Sequence, residues 1–357
     1  MTASPVTAPP RPLRVGLVYD RFGDAEPPPS APPDWDAEYE PEATVAALED
    51  AVRHLGHEPV RVGNVPALLA AVCRGGAAGL GPAGLALDAA VTIAESYGSR
   101  NREAHAPVLL ELAGVPALGS DALALSVSLD KHLTKTVAAS VGVAVPPGVV
   151  VPGRGGDPAA LVAGAGLSFP VIVKPRYEGT AKGIAPSSRC GSAAALRAEV
   201  ARQRALYGQD LVVEAFVEGP EFTVGVVGTG ADAEALPVLQ RATERETGIG
   251  LHALDEDPAR PFAYRLDGRL TPDLEAALQR DALAVHRALE CRDFSRADFR
   301  VPAGGARAGR PVFVETNPLP TFAPDGTFAV LAELAGEPYP TFLAGLLARG
   351  LRRLGLG

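Results

Sequence analysis

Four polar residues in the last quarter of the chain carry the sharpest chemical suggestion. Arg296 and Asp298 lie in RADFRVP, and Glu315 and Asn317 in RPVFVETN, two strand-like segments joined by a Gly/Ala-rich turn. Within each pair the spacing is two, so both members face one side of a sheet. Mg2+ takes oxygen ligands, usually one or two carboxylates together with substrate phosphates. Asp298, Glu315 and the amide oxygen of Asn317 on one face suit such ions. Arg296 beside them suits negative charge developing on a tetrahedral intermediate or a transferring phosphoryl group. The bland alternative is a set of polar residues at a sheet edge.

Three further constellations precede this one, and their order matters more than any one of them. Asp130-Lys131 opens a helix. KPRYEGTAKGI (174–184) puts Lys174 at a strand end, before a loop with Gly179 and Gly183. Such a loop can fold over phosphates, offering backbone N–H groups and the Thr180 hydroxyl. Lys131 and Lys174 can neutralise phosphate charge. VEAFVEGPE (213–221) places Glu214 and Glu221 seven residues apart around a turn. Taken alone, the glycine loop fits a charged surface loop as well as a phosphate lid.

The elements that must position these residues follow from periodicity. LRVGLVYD (13–20), HEPVRV (57–62) and AAVTIAES (89–96) read as strands. Between the first two, PEATVAALEDAVRHLG places Val45, Leu48, Val52 and Leu55 on one helical face, with Pro41 in the first turn and Gly56 as cap. This alternation predicts a parallel sheet with helices on both faces. DKHLTKTVAASVG predicts a helix, AVPPGVVV and FPVIVKP predict strands, and SAAALRAEVARQRALYG predicts a helix between Ser192 and Gly208. LVVEAFV and EFTVGVVG predict a strand pair around Glu218-Gly219-Pro220. TPDLEAALQRDALAVHRALE (271–290) predicts an amphipathic helix capped by Thr271. The predicted organisation is a disordered tail (1–12) followed by three units, 13–128, 129–212 and 213–357. Ten prolines within residues 1–41 mark extended or irregular chain.

Composition narrows the class. The 357 residues are 47% hydrophobic and 21% charged, which is ordinary globular chain. A net charge of −9 disfavours nucleic acid and anionic lipid as partners. Cys73, Cys190 and Cys291 form neither a disulfide framework nor a metal set, which suggests a reducing compartment. No signal peptide and no uninterrupted apolar stretch of membrane-spanning length is readable, so the expectation is a soluble cytoplasmic protein. RGGAAGLGPAG (74–84) lacks a preceding strand and a clean GxGxxG, and reads as a flexible connection rather than a dinucleotide loop. His54 and His57 fit a helix end, not a metal. Arg100, Arg102 and Glu103, and likewise Arg241, Glu244, Arg245 and Glu246, fit either a solvated surface or substrate recognition.

The ordered set DK…KPRYEGTAKGI…VEAFVEGPEFTVGVVG…RADF…FVETNPLP resembles the ATP-grasp ligases, in particular the D-alanine–D-alanine ligases and their relatives, over residues 13–350. The resemblance implies an α/β chain, α+β in the clamp, with a Rossmann-like N-terminal parallel sheet and ATP held between two antiparallel sheets. It implies that a first carboxylate takes the γ-phosphoryl group of ATP and that an amine then displaces phosphate. It assigns Lys131, Lys174, Glu178, Gly179 and Thr180 to the phosphates. Glu214, Phe216 and the backbone near Val217 fall to adenine, and Glu221 to the ribose. Asp298, Glu315 and Asn317 are implied to hold Mg2+, with Mn2+ as an alternative, and Arg296 to serve the oxyanion. Thr180 stands where relatives carry a serine. Glu40 or Glu42 would bind the first substrate's ammonium, with Glu42 counted as catalytic. Arg102, Thr321 and Thr327 are further substrate-binding candidates. Partners would be small carboxylates and amino acids, and relatives are often homodimers.

The departures fall in the amino-acid half. SYGSRNREAH (96–105) replaces a Gly-Glu-Asp-Gly stretch. The second lid, 240–262, lacks a Tyr-x-x-Lys-Tyr pattern. Pro320-Thr321-Phe322-Ala323 replaces Pro-Gly-Met-Thr. This profile resembles amino-acid ligases of specialised metabolism, including those that act on a mycosporine core. The rival expectations are a D-alanine–D-alanine ligase of cell-wall synthesis and a nucleotide-binding regulator without turnover.

Overall fold

A computed structural model describes residues 11–74, 85–250, 264–266 and 270–357. All but the first residue of the predicted flexible connection at 74–84, most of the tail and the greater part of the second lid lie outside these.

The N-terminal sheet is parallel, in the order β2-β1-β3-β4: β1 Arg14–Tyr19, β2 Glu58–Gly63, β3 Ala89–Ile93 and β4 Ala117–Leu118. Strands β1 and β3 at its centre are buried on both faces, which is why they read as apolar runs, whereas the edge strand β2 is half-buried. On one face lies α1 (Glu42–His54), burying Val45, Leu48 and Val52 as predicted. On the other lie α2 (Val65–Cys73) and α3 (His105–Leu112). Helix α4 (Ala122–Leu129) ends at Asp130, whose carboxylate caps α5 (Lys131–Ser140) by accepting from the N–H groups of His132 and Leu133.

A second sheet is antiparallel, in the order β5-β8-β6-β7: β5 Gly148–Val151, β6 Val171–Pro175, β7 Arg189–Cys190 and β8 Leu211–Ala215. Helices α6 (Pro158–Gly164) and α7 (Ala193–Tyr207) cover it, and α7 has the predicted Ser192 N-cap and left-handed Gly208 C-cap. The third sheet holds β9 (Glu221–Val227) at its centre, with β10 (Glu234–Ala235) and β11 (Leu239–Arg241) along one side. After the short pair β12 (Thr243–Glu244) and β13 (Tyr264–Arg265) comes α8 (Pro272–Ala288), which packs on β9. Strands β14 (Phe294–Arg300) and β15 (Val312–Asn317) complete the sheet. Helices α9 (Thr327–Leu334) and α10 (Tyr339–Arg353) return to the N-terminal sheet, where Phe342, Leu343 and Leu347 join its core.

One sequence expectation is overturned. β8 and β9 do not form a hairpin: β8 pairs with β5 and β6, whereas β9 pairs with β14. Residues 216–220 carry the chain from one sheet to the other. Gly219 makes this crossing feasible, with φ +146° and an added Cβ that would stand 2.0 Å from the Val301 carbonyl oxygen. The expected boundary after residue 212 falls inside β8, and α5 buries Ala138 in the core of the third sheet.

Candidate active site

The two antiparallel sheets face each other across a deep cleft lined by Lys131, Lys174, Glu214, Asp298, Glu315 and Asn317 among others. β14 and β15 are antiparallel in a register that sets Arg296 opposite Asn317 and Asp298 opposite Glu315. The four therefore form a square on one face, as the spacing predicted. Thr223 Oγ1 donates to Asp298 Oδ1 at 2.7 Å, and Arg296 stands 3.2 Å from the other oxygen. The Arg296 Nε is buried without a hydrogen-bond partner. Two directly opposed carboxylates, Asp298 and Glu315, with the Asn317 amide oxygen two residues along the same strand, fit a hard divalent cation.

Cations converge on this square from the facing elements. Lys131 Nζ lies 3.2 Å from Glu315 and donates to the Glu178 carbonyl at 2.5 Å. Burial alone would raise the Glu315 pKa, but Lys131, Lys174 and Arg296 override it and hold the carboxylate ionised far below its ordinary range. Lys174 pairs with Glu214 at 3.5 Å, and Lys135 pairs with the same acid at 2.6 Å. Burial pushes the Lys135 pKa down, against the pull of Glu214. Lys135 was not singled out from the sequence, although it follows Lys131 by four residues and so shares its helical face.

The glycine loop bends back over the cleft. Thr180 and Ala181 adopt left-handed φ values of +44° and +56°, and Thr180 is exposed. The Gly179 N–H donates to Glu38 Oε1 at 2.8 Å, and a Cβ there would meet that oxygen at 2.4 Å. Glu38 also accepts from Lys182 at 3.0 Å and from Arg102 at 2.6 Å. Burial opposes its ionisation, and these two cations nevertheless keep its pKa lowered. Behind it, burial pushes Glu103 up to about 7. Glu38 and Lys182 are further residues the sequence reading passed over; Lys182 lies within the quoted loop, and Glu38 heads the alternating acids 38, 40 and 42.

Phe216, Val217 and Glu221 also line the cleft. Glu221 accepts from Arg300 at 2.8 Å, and Arg300 also donates to the Gly248 carbonyl at 2.7 Å and lies 5.3 Å from the Phe216 ring centroid. Arg300 follows Asp298 by two and shares its face, a signal strand alternation carried.

Two assignments need correction. Glu42 is exposed, paired with Arg21 and Arg61, and outside the cleft lining, so it has no access to a reacting group. Arg102 is 1% exposed and held by Glu38, Glu95 and Glu103, so it braces the wall instead of meeting substrate. Glu40, Thr321 and Thr327 do line the cleft.

Residues 150–348 match the model of the family described as "D-ala D-ala ligase C-terminus". The chain belongs to the D-alanine–D-alanine ligase family. One relative, the D-alanine–D-alanine ligase of Cupriavidus taiwanensis, is 32% identical over 240 residues, which is 67% of this chain and 69% of that one. An uncharacterised protein of Sinorhizobium fredii is 29% identical over 94% of each chain. The D-alanine–D-alanine ligase of Bacillus anthracis, solved with ATP, superimposes with a TM-score of 0.67 at 18% identity, covering 96% of this chain and 98% of that one. The fold is thereby the ATP-grasp fold, and the ligase family and the two-sheet clamp agree. Among the described residues no helix is long and apolar enough to cross a membrane.

Proposed function

We propose that the chain is an ATP-dependent carboxylate–amine ligase that forms an amide through an acyl phosphate. The observation that carries this reading is the square of Arg296, Asp298, Glu315 and Asn317 opposite Lys131 and Lys174. In the first step a donor carboxylate oxygen attacks the γ-phosphorus of ATP, an O–P bond forms, and ADP leaves with its bridging oxygen. In the second, an acceptor nitrogen attacks the acyl carbon, the C–N bond forms, the C–O bond to phosphate breaks, and inorganic phosphate and a proton depart.

Lys131 and Lys174 neutralise phosphate charge, with Glu178, Gly179 and Thr180 in the lid that excludes water. Glu214, Phe216 and Val217 flank the base, and Glu221 the ribose. Asp298, Glu315 and Asn317 would hold Mg2+ or Mn2+, which supplies Lewis-acid stabilisation of phosphoryl oxygens when bound. Arg296 faces charge on the tetrahedral oxyanion. The acceptor is an amino acid and the product one of specialised metabolism, a reading supported by the second lid segment, whose sequence lacks a Tyr-x-x-Lys-Tyr pattern. The competing reading, D-alanine–D-alanine synthesis, is favoured by the names of relatives such as the Cupriavidus enzyme. Three free cysteines support a cytoplasmic setting.

The test is phosphate release from Mg-ATP across single and paired amino acids, with mass spectrometry on each positive. Release with a pair other than D-alanine alone supports the specialised ligase. A D-alanine dipeptide mass returns the chain to cell-wall chemistry, and no ATP-dependent condensation with any pair counts against ligase activity.

A further inference from the structure

Two acids of the first unit reach across to the phosphate lid. Asp34 and Glu38 lie on the irregular segment between β1 and α1. The Gly179 N–H and the Lys182 ammonium both donate to Glu38, at 2.8 and 3.0 Å, and the Gly183 N–H donates to Asp34 at 3.0 Å. From behind, Arg102 fixes Glu38 at 2.6 Å, and the Tyr207 hydroxyl on α7 donates to Asp34 at 2.5 Å. Lys182 also pairs with Glu178 in its own loop, and its Nζ lies 5.7 Å from the Tyr97 ring centroid.

The loop from 176 to 185 has no strand or helix of its own. Its shape over the cleft is therefore set by what it is tied to. Lys182 is 3% exposed, and its ammonium is turned to an acid of another unit. Burial opposes that charge, but Glu38 and Glu178 outweigh burial and keep the Lys182 pKa raised. A buried pair of this kind is costly to break from one side.

We infer that Glu38 and Lys182 are positioning residues for the reaction: their ion pair latches the phosphate lid to the first unit, and neither side chain touches a phosphate. The latch keeps water from the acyl phosphate until the amine attacks. Without it, water attacks the acyl phosphate, returning the donor carboxylate and inorganic phosphate with no amide formed. This inference rests on the ligase reading above.

The lysines supply a probe of the lid that needs no turnover. The chain has only four, of which Lys131 and Lys135 lie in α5 and Lys174 precedes Pro175. A lysine-specific endoprotease therefore has one loop target, the bond after Lys182, once the lid lifts. Glu38→Gln keeps the side-chain shape and strands no cation, since Lys182 retains Glu178 and Arg102 retains Glu95. On the full-length protein with Mg-ATP, Glu38→Gln is expected to be cut after Lys182 about tenfold faster than the wild type. With an active donor and acceptor, Glu38→Gln and Lys182→Met are each expected to raise phosphate released per amide formed about tenfold. Lys182→Arg, which keeps the charge, is expected to stay near the wild-type ratio. An ATP KM raised by Lys182→Met and not by Glu38→Gln would assign Lys182 to phosphate and overturn the inference. So would equal cleavage of wild type and Glu38→Gln, or amide and phosphate falling together at an unchanged ratio. Absence of phosphate release from the wild type with every donor would instead fail the ligase reading, and the cleavage rates would still decide the latch.

Discussion

At the scale of single residues, function concentrates where like and unlike charges are forced together. Lys174 is 9% exposed, pairs with Glu214 and lines the same cleft as Asp298 and Glu315. Lys174→Ala should weaken ATP binding more than tenfold, about 1.4 kcal/mol or above, read by titration calorimetry. Asp298→Asn should reduce turnover at least a hundredfold while leaving the fold intact, since the Thr223 hydroxyl can still donate to the amide oxygen. Gly179→Ala should impair the lid, because its Cβ would sit 2.4 Å from Glu38 Oε1; a rise in ATP-dependent KM is the readout. The paired strand residues were legible because period two fixes which side chains share a face. Glu42 was misplaced because position before a helix does not reveal which acid turns inward. Pro41 and the exposed first turn of α1 send Glu42 to solvent, while Glu38 and Glu40 are buried.

At the scale of elements, the strands and helices of the N-terminal sheet and α7 were readable from apolar runs and caps. The pairing of β8 and β9 was not. Two strands flanking a Glu-Gly-Pro turn read as a hairpin locally, and only the tertiary context shows each paired to other partners. The crossing matters for function because it hangs one clamp sheet from the other. Gly219→Ala combines a left-handed φ with a contact to backbone, so the Val301 carbonyl must move. The expected cost is about 2 kcal/mol or more, seen as a lowered urea midpoint with the slope unchanged. A midpoint equal to wild type would show that the crossing tolerates a side chain. The second lid carried no sequence pattern to predict from. Its described part is pinned by Arg300 on the Gly248 carbonyl and by the Glu244 carboxylate on the N–H groups of Glu246 and Thr247.

At the scale of the whole molecule, three sheets share their helices across the predicted boundaries, so α10 belongs to the first core and α5 to the third. Spacing along a chain records a helix's apolar face but not which core receives it. One buried base makes the assembly acid-sensitive. His286 is 1% exposed on α8 with Nδ1 2.7 Å from Ser295 Oγ, and burial pushes its pKa down to about 4. The unfolded chain binds this proton near pH ~6.5, so stability falls as pH drops from there towards 4 and is unaffected above it. The loss from this group is about 3 kcal/mol, and His286→Gln should flatten that part of the stability profile. The acyl phosphate itself can be followed by isotope transfer. With a donor carboxylate carrying heavy oxygen, the acyl-phosphate route delivers one labelled oxygen to inorganic phosphate and none to the nucleotide. Label recovered in AMP, or phosphate free of label during amide formation, would contradict it.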